Sequence, residues 1–174
     1  MWVTQSYLGD PDKDPKVYAY YLFEDYNGEQ ESFTRQIEGK LAHVGDQFGP
    51  HATILMPNRH NTPRIEAEVR NALGAFWWEL QGQLPGILVS TTILSKLQIE
   101  DGQHHFFSLN KCDLDSAFDV ITSVHRLMQQ CVEYQHKNQS PQPPETTFKR
   151  LLNSIEAKPG IYGFSVDLKK LFKK

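Results

Sequence analysis

Residues 51–92 place the strongest constraint on the fold, because two short apolar segments there flank a long amphipathic one. Residues 51–57 are rich in strand formers and end at a proline. Residues 62–80 open with Thr62-Pro63, a favoured helix start, and repeat apolar residues at helical spacing. Residues 86–90 form a second apolar run. A strand, a crossover helix and a strand make the βαβ unit of a parallel sheet, which we predict for this stretch.

Similar patterns continue on both sides of this unit. Residues 17–23 are a nearly continuous apolar and aromatic run, typical of a strand that is covered on both faces. Three further stretches repeat apolar residues at helical spacing and are predicted helices: residues 29–48, 113–136 and 145–156. Residues 94–109 leave two alternatives. Either Glu100-Asp101-Gly102 is the turn of a hairpin, or only residues 105–109 join the sheet after a loop, which we favour.

Together these elements predict an α/β fold with three layers: a mostly parallel sheet of four to five strands with helices on both faces, and a helical C-terminal extension. A flavodoxin-like strand order is left open. A chain of 174 residues fits one domain. Within it we predict an N-terminal arm (residues 1–15), a proline-rich linker (residues 137–144) and an extension that packs back on the domain (residues 145–174).

The composition is that of an ordinary folded protein, with 39% hydrophobic and 22% charged residues. A net charge of -3 argues against broad attraction to nucleic acid. Neither a signal peptide nor a membrane-spanning apolar run is visible, so we expect a cytoplasmic protein without membrane contact. Cys112 and Cys131 have no metal or redox spacing and are predicted free thiols, with a single disulfide as the alternative. Because no metal or cofactor motif occurs, we expect neither a metal nor a cofactor.

Polar residues at the carboxyl ends of the predicted strands form the candidate ligand site, because helix starts and loops converge there in an open parallel sheet. Three groups meet this rule: Glu24, Asp25 and Tyr26 after the first strand, Asn58, Arg59, His60 and Thr62 after the second, and Ser90 with Thr91 after the third. Arg59 and His60 directly precede a predicted helix start, whose amide groups and dipole favour an anion. We therefore predict that a small anionic ligand binds at this edge.

Each of these groups also has a purely structural interpretation. Arg59 can pair with Glu24 or Asp25 across the sheet edge, and Ser90 and Thr91 can satisfy backbone groups at a strand end. Glu24 and Asp25 are also candidates for acid–base chemistry, which would make the protein an enzyme acting on a nucleotide or phosphorylated metabolite. No catalytic signature selects a particular residue, so the catalytic residues stay unknown.

Two surfaces are candidates for a protein partner or for self-association as a dimer. Trp78 lies about 200° around the predicted helix from Phe76 of the apolar stripe, so it is either exposed to a partner or covered by the C-terminal segment. Leu168, Leu171 and Phe172 form one apolar face of a final helical turn that is otherwise rich in lysine. We predict that these three residues are buried against the domain or against a second copy.

The predicted element order and the sequence Trp77-Trp78-Glu79-Leu80 loosely resemble the TIR-type flavodoxin-like domains, which process NAD with a glutamate or act as interaction modules. The chain departs from that pattern, because Glu79 lies on the helix before the third strand, where the family has another strand and a separate helix. No site residue is carried over. We expect a small binding or interaction module that recognises a partner protein and an anionic small ligand, with the enzyme as the alternative.

Overall fold

The computed structural model describes residues 16–23, 30–57, 62–138 and 143–156, together with the backbone of residues 2–5. The strands along these residues are β1 (Trp2–Gln5), β2 (Val17–Leu22), β3 (Ala52–Pro57), β4 (Gly86–Ser90) and β5 (His104–Ser108). The α-helices are α1 (Glu31–Phe48), α2 (Thr62–Leu73), α3 (Ala75–Leu80), α4 (Leu114–Asn138) and α5 (Glu145–Glu156). This combination confirms the α/β class that the sequence predicts.

The described strands form one sheet in the order β1-β3-β2-β4-β5. β3 pairs in parallel with both β1 and β2, whereas β4 is antiparallel to β2 and β5 is antiparallel to β4. The sheet is therefore mixed, and the prediction of a mostly parallel sheet is wrong. The flavodoxin-like alternative is wrong as well, because that fold has parallel strands in the order 2-1-3-4-5.

Residues 51–92 do not form the predicted parallel βαβ unit. β2 lies between β3 and β4, so the two strands of this stretch are not neighbours and run in opposite directions. The parallel unit is instead β2–α1–β3. The apolar pattern did not reveal the relative direction of β3 and β4, because every residue of both strands is buried. A strand covered on both faces carries the same continuous apolar run whichever way its neighbour runs.

Of the two edge strands of the sheet, β1 was not predicted from the sequence, whereas β5 was. Residues 2–5, predicted as part of an arm, pair with β3 as β1, a strand too short to show an alternating pattern. Between β4 and β5 the chain forms two 3₁₀ turns, Leu94–Lys96 and Ile99–Asp101. The loop alternative for this connection is therefore confirmed, and the hairpin with a turn at residues 100–102 is wrong.

Alternate residues of β2 point to opposite faces of the sheet and separate two buried clusters. Val17, Ala19 and Tyr21 belong to the cluster that contains α1, α4 and α5, and we call this side of the sheet the α4 face. Tyr18, Tyr20 and Leu22 pack with α2 and α3 on the other side, which we call the α2 face. Helices therefore cover both faces, as predicted.

Helix boundaries differ from the predictions where local backbone geometry intervenes. The predicted helix over residues 62–80 is broken at Gly74, whose φ of 55° lies in the left-handed region that favours glycine. α4 begins after Asp113, whose Oδ1 accepts a hydrogen bond from the backbone N–H of Ser116 at 2.8 Å and so caps the helix. α4 continues to Asn138, so the predicted linker over residues 137–144 begins two residues too early.

Candidate functional site

The connections that follow β2 and β3 leave the sheet toward opposite faces. The two strands are adjacent and parallel, with Val17 opposite Ala52 and Tyr20 opposite Leu55. β2 leads into α1, which covers the α4 face, whereas β3 leads into α2, which covers the α2 face. Such divergence is a topological switch point, and ligands of open α/β sheets bind in the crevice that it leaves beyond the carboxyl ends of the strands.

Buried side chains hold both helices against their faces. α1 contributes Ile37, Leu41 and Val44 to the cluster on the α4 face. α2 contributes Val69 and Leu73 to the cluster on the α2 face. All five side chains are buried, so the divergence between β2 and β3 is built into the core of the protein. It does not depend on the conformation of the residues that connect each strand to its helix.

Most of the predicted ligand residues come after β2 or β3 in the sequence. Six of them follow β2 or β3 and lie outside the described residues: Glu24, Asp25, Tyr26, Asn58, Arg59 and His60. Thr62 is the first residue of α2, and the structure describes its backbone. Because Thr62 follows the end of β3 by five positions, the start of α2 lies within about 18 Å of that strand end.

Ser90 and Thr91 are not brought to the switch point. Because β4 is antiparallel to β2, its last residue, Ser90, pairs with Tyr18 near the start of β2, while Gly86 pairs with Leu22 near the end. This pairing corrects the expectation that residues 90–92 complete the ligand site. The rule of carboxyl ends fails for Ser90 because β4 runs in the direction opposite to β2 and β3.

The hydroxyl groups of Ser90 and Thr91 form hydrogen bonds within the chain that stabilise the connection between β4 and β5. Ser90 Oγ accepts a hydrogen bond from the backbone N–H of Thr92 at 3.0 Å. Thr91 Oγ1 donates to Oε1 of Gln103 at 3.0 Å. The contact of Ser90 matches the structural interpretation, in which the side chain satisfies a backbone group at a strand end, whereas Thr91 bonds a side chain instead.

Ser90 also belongs to a buried polar row that crosses the α2 face. Tyr18 pairs with both Thr53 and Ser90, and Ser90 pairs with His104, so four neighbouring strands each contribute one polar residue at the same level. None of the four is more than 9% exposed. Tyr18, Thr53 and His104 could not be recognised as members of such a row from the sequence, because one polar residue in an apolar strand carries no signal until the register is known.

The adjacent histidines of β5 point to opposite faces, as expected for neighbours on a strand. The ring of His104 lies 5.7 Å from that of Phe76 on the α2 face, and the ring of His105 lies 4.5 Å from that of Phe107. In the part of the chain that the structure describes, no three His, Cys, Asp or Glu side chains are grouped so that they could hold a metal ion.

The two cysteines are free thiols. Burial raises the pKa of Cys131 to about 12. Burial, assisted by the negative charge of Asp113, also raises the pKa of Cys112. Because the thiolate is the nucleophilic form, neither side chain is poised for nucleophilic catalysis at neutral pH.

Trp78 is the one large apolar side chain that the described residues leave exposed, at 61%. Its ring lies 5.5 Å from the guanidinium carbon of Arg70, a cation–π distance, and Arg70 also pairs with Glu66 one helical turn earlier. The other alternative for Trp78, cover by the C-terminal segment, involves residues 157–174, which lie outside the described residues. The other predicted partner residues, Leu168, Leu171 and Phe172, lie outside the described residues.

His125 makes the stability of the fold depend on pH. Its ring meets that of Phe48 edge to face at 5.2 Å, and burial, followed by the charge of Arg126, holds its pKa below the ordinary value. The unfolded chain then binds a proton more readily than the folded one, so stability should fall as the pH drops below about 6.5.

We expect a lower melting temperature at pH 5.5 than at pH 7.5, and a smaller difference between the two melting temperatures in the variant His125→Gln. An unchanged difference in that variant, or an equal reduction in the control His43→Gln on the surface of α1, would contradict this assignment.

Comparison with known proteins does not identify the chain. No family model matches it, and neither does a curated protein or a solved structure. None of the described helices combines the length and the apolar character that crossing a membrane requires.

Proposed function

We propose that this protein is a small binding module that holds an anionic ligand, of the nucleotide or phosphorylated-metabolite class, at the switch point between β2 and β3. The observation that carries the proposal is the divergence of α1 and α2 from adjacent parallel strands onto opposite faces. Open α/β sheets bind their ligands at such points because the two connections separate and leave room between them.

The residues that follow the two strands differ in charge, which supports a ligand with two kinds of polar group. Residues 24–29 contain three carboxylates and no basic residue, whereas residues 58–64 contain two arginines and a histidine and no acidic residue. Arg59, His60 and the amide groups at the start of α2 would bind the anionic group. Glu24 and Asp25 would accept hydrogen bonds from hydroxyl groups of the ligand.

A second function, recognition of a partner protein, is favoured by the exposure of Trp78 beside Arg70. Tryptophan and arginine are enriched among the residues that dominate binding energy at protein interfaces. In this proposal the surface around Trp78 on α3 binds a protein, while the switch point binds the small ligand. The two sites are separate, because the first lies on the outer side of a helix and the second at an edge of the sheet.

The ligand proposal predicts stabilisation by nucleotides or phosphosugars in a thermal-shift screen. A ligand at one hundred times its dissociation constant stabilises the folded state by about 2.7 kcal/mol, which is readily seen in the melting temperature. Arg59→Ala should weaken binding of that ligand by about tenfold or more, because hydrogen bonds from a charged donor contribute about 1.5–3 kcal/mol. The dissociation constants can be measured by isothermal titration calorimetry.

Lys96→Ala is the matched control, because Lys96 is exposed on the connection between β4 and β5, beyond the end of β4 and away from the switch point. It should leave the affinity unchanged. Absence of any stabilising ligand, or equal losses in both variants, would refute the proposal. Turnover of a stabilising ligand, lost in Glu24→Gln or Asp25→Asn, would instead favour the enzyme.

A further inference from the structure

The amino ends of β2 and β3 carry a cluster of basic side chains at the sheet edge opposite the switch point. Lys16 precedes β2, His51 precedes β3, and His136 lies in the last turn of α4. The imidazole rings of His51 and His136 meet edge to face, with centroids 4.7 Å apart. We call Lys16, His51 and His136 the amino-edge cluster.

Main-chain contacts hold the amino-edge cluster together. The backbone N–H of Lys16 donates to the carbonyl oxygen of His51 at 2.9 Å. Gln135, which is 1% exposed, donates from Nε2 to the carbonyl oxygen of Lys16 at 2.9 Å and so ties the end of α4 to the start of β2. The three basic residues are thus placed by fixed backbone geometry, which lowers the cost of ordering them around a ligand.

The amino-edge cluster brings positive charge close to His136. The charge of Lys16, followed by burial and by the charge of His51, holds the pKa of His136 below its ordinary value. The carboxyl end of α4 carries partial negative charge, which acts in the opposite direction. Lys137 adds a further positive charge beside His136.

Two carboxylates among the described residues lie near the cluster in the chain, and solvent screens the charge of both. Glu133, one turn earlier on α4, is exposed and accepts a hydrogen bond from Gln129 Nε2 at 3.0 Å. Asp46, in the last turn of α1, is exposed as well. The amino-edge cluster therefore concentrates groups that favour an anion, and His136 gains a proton more readily once an anion is present.

We infer that the amino-edge cluster binds a small oxyanion of the phosphate class and takes up protons as it does so. The Lys16 ammonium and the N–H groups of the two imidazoles would donate to the oxyanion. Because the imidazolium form of His136 binds an anion better than the neutral form does, affinity should rise as the pH falls through the range in which His136 gains its proton. This site is independent of the proposed ligand site, from which the length of β2 and β3 separates it.

Nuclear magnetic resonance titration of the histidines with inorganic phosphate tests the inference. We expect the pKa of His136 to rise by about half a pH unit or more in saturating phosphate, because one negative charge about 5 Å away in water has an effect of that size. Sodium chloride at the same ionic strength should produce a smaller rise. Equal rises in the two salts would show screening alone and would overturn the inference, as would no rise in either.

Two variants separate this site from the switch point. Lys16→Gln should abolish most of the phosphate-specific rise, and Arg59→Ala should leave it intact. The opposite result, a rise that is lost in Arg59→Ala and kept in Lys16→Gln, would assign phosphate to the switch point and overturn the inference. The signals of His43, exposed on α1, report non-specific binding, and a phosphate response there equal to that of His136 would count against the site as well.

Discussion

Gly86→Ala should destabilise the protein by about 3 kcal/mol or more, because the added methyl group has no space in the pairing between β4 and β5. A Cβ atom at Gly86 would lie 2.2 Å from Cζ of Phe106 and 2.7 Å from the carbonyl oxygen of Phe107. The first contact requires the Phe106 ring, which is fully buried, to move within the core. The second requires the backbone of β5 to move away from β4.

Equilibrium unfolding in urea measures this effect, and Gly39→Ala is the matched control. Gly39 lies within α1, and a Cβ atom there meets nothing within 4 Å. Alanine at a helix interior position is favoured over glycine by about 0.5–1 kcal/mol, so the same substitution should stabilise the protein at Gly39. A loss smaller than about 1 kcal/mol in Gly86→Ala would show that β5 does not lie against β4 at this register.

The positions of β2, β3 and β4 could be predicted from the sequence because each is an apolar run buried on both faces. Their pairing directions could not, since full burial removes the polar alternation that distinguishes an exposed antiparallel face. The pairing direction depends on contacts between strands, and the sequence of one apolar strand does not show which strand it contacts. The sheet is mixed because β4 pairs with β2 in the antiparallel direction and does not pair with β3.

For the candidate site, the sequence predicts the residues that follow each strand, but it does not tell which of the strands run parallel to each other. The rule for carboxyl ends selected the residues after β2 and β3, which are parallel, and it failed for Ser90, whose strand is antiparallel. Helical geometry predicted that Trp78 points away from the buried Phe76, but it left open whether Trp78 is exposed or covered. The amino-edge cluster could not be predicted, because His51 and His136 are far apart in the chain and meet only through the packing of α4.

Phe148→Ala should destabilise the protein by about 3–5 kcal/mol, the usual cost of removing a buried phenyl group from a core. Phe148 is 1% exposed and belongs with Ile155 to the buried cluster on the α4 face. α5 has 12 residues, and isolated helices of this length are marginal in water, so α5 depends on that burial. The same loss should appear in circular dichroism and in tryptophan fluorescence, because residues 145–156 would then unfold together with the sheet.

Arg150→Ala on the exposed side of α5 is the control for this prediction and should change the free energy of unfolding by less than about 0.5 kcal/mol. The difference between the two variants also tests part of the prediction that residues 145–174 pack on the domain, since it measures how much the packing of α5 contributes to the free energy of unfolding. If Phe148→Ala cost no more than Arg150→Ala, α5 would contribute nothing to the core. The cluster on the α4 face would then have to be stable with α1 and α4 alone.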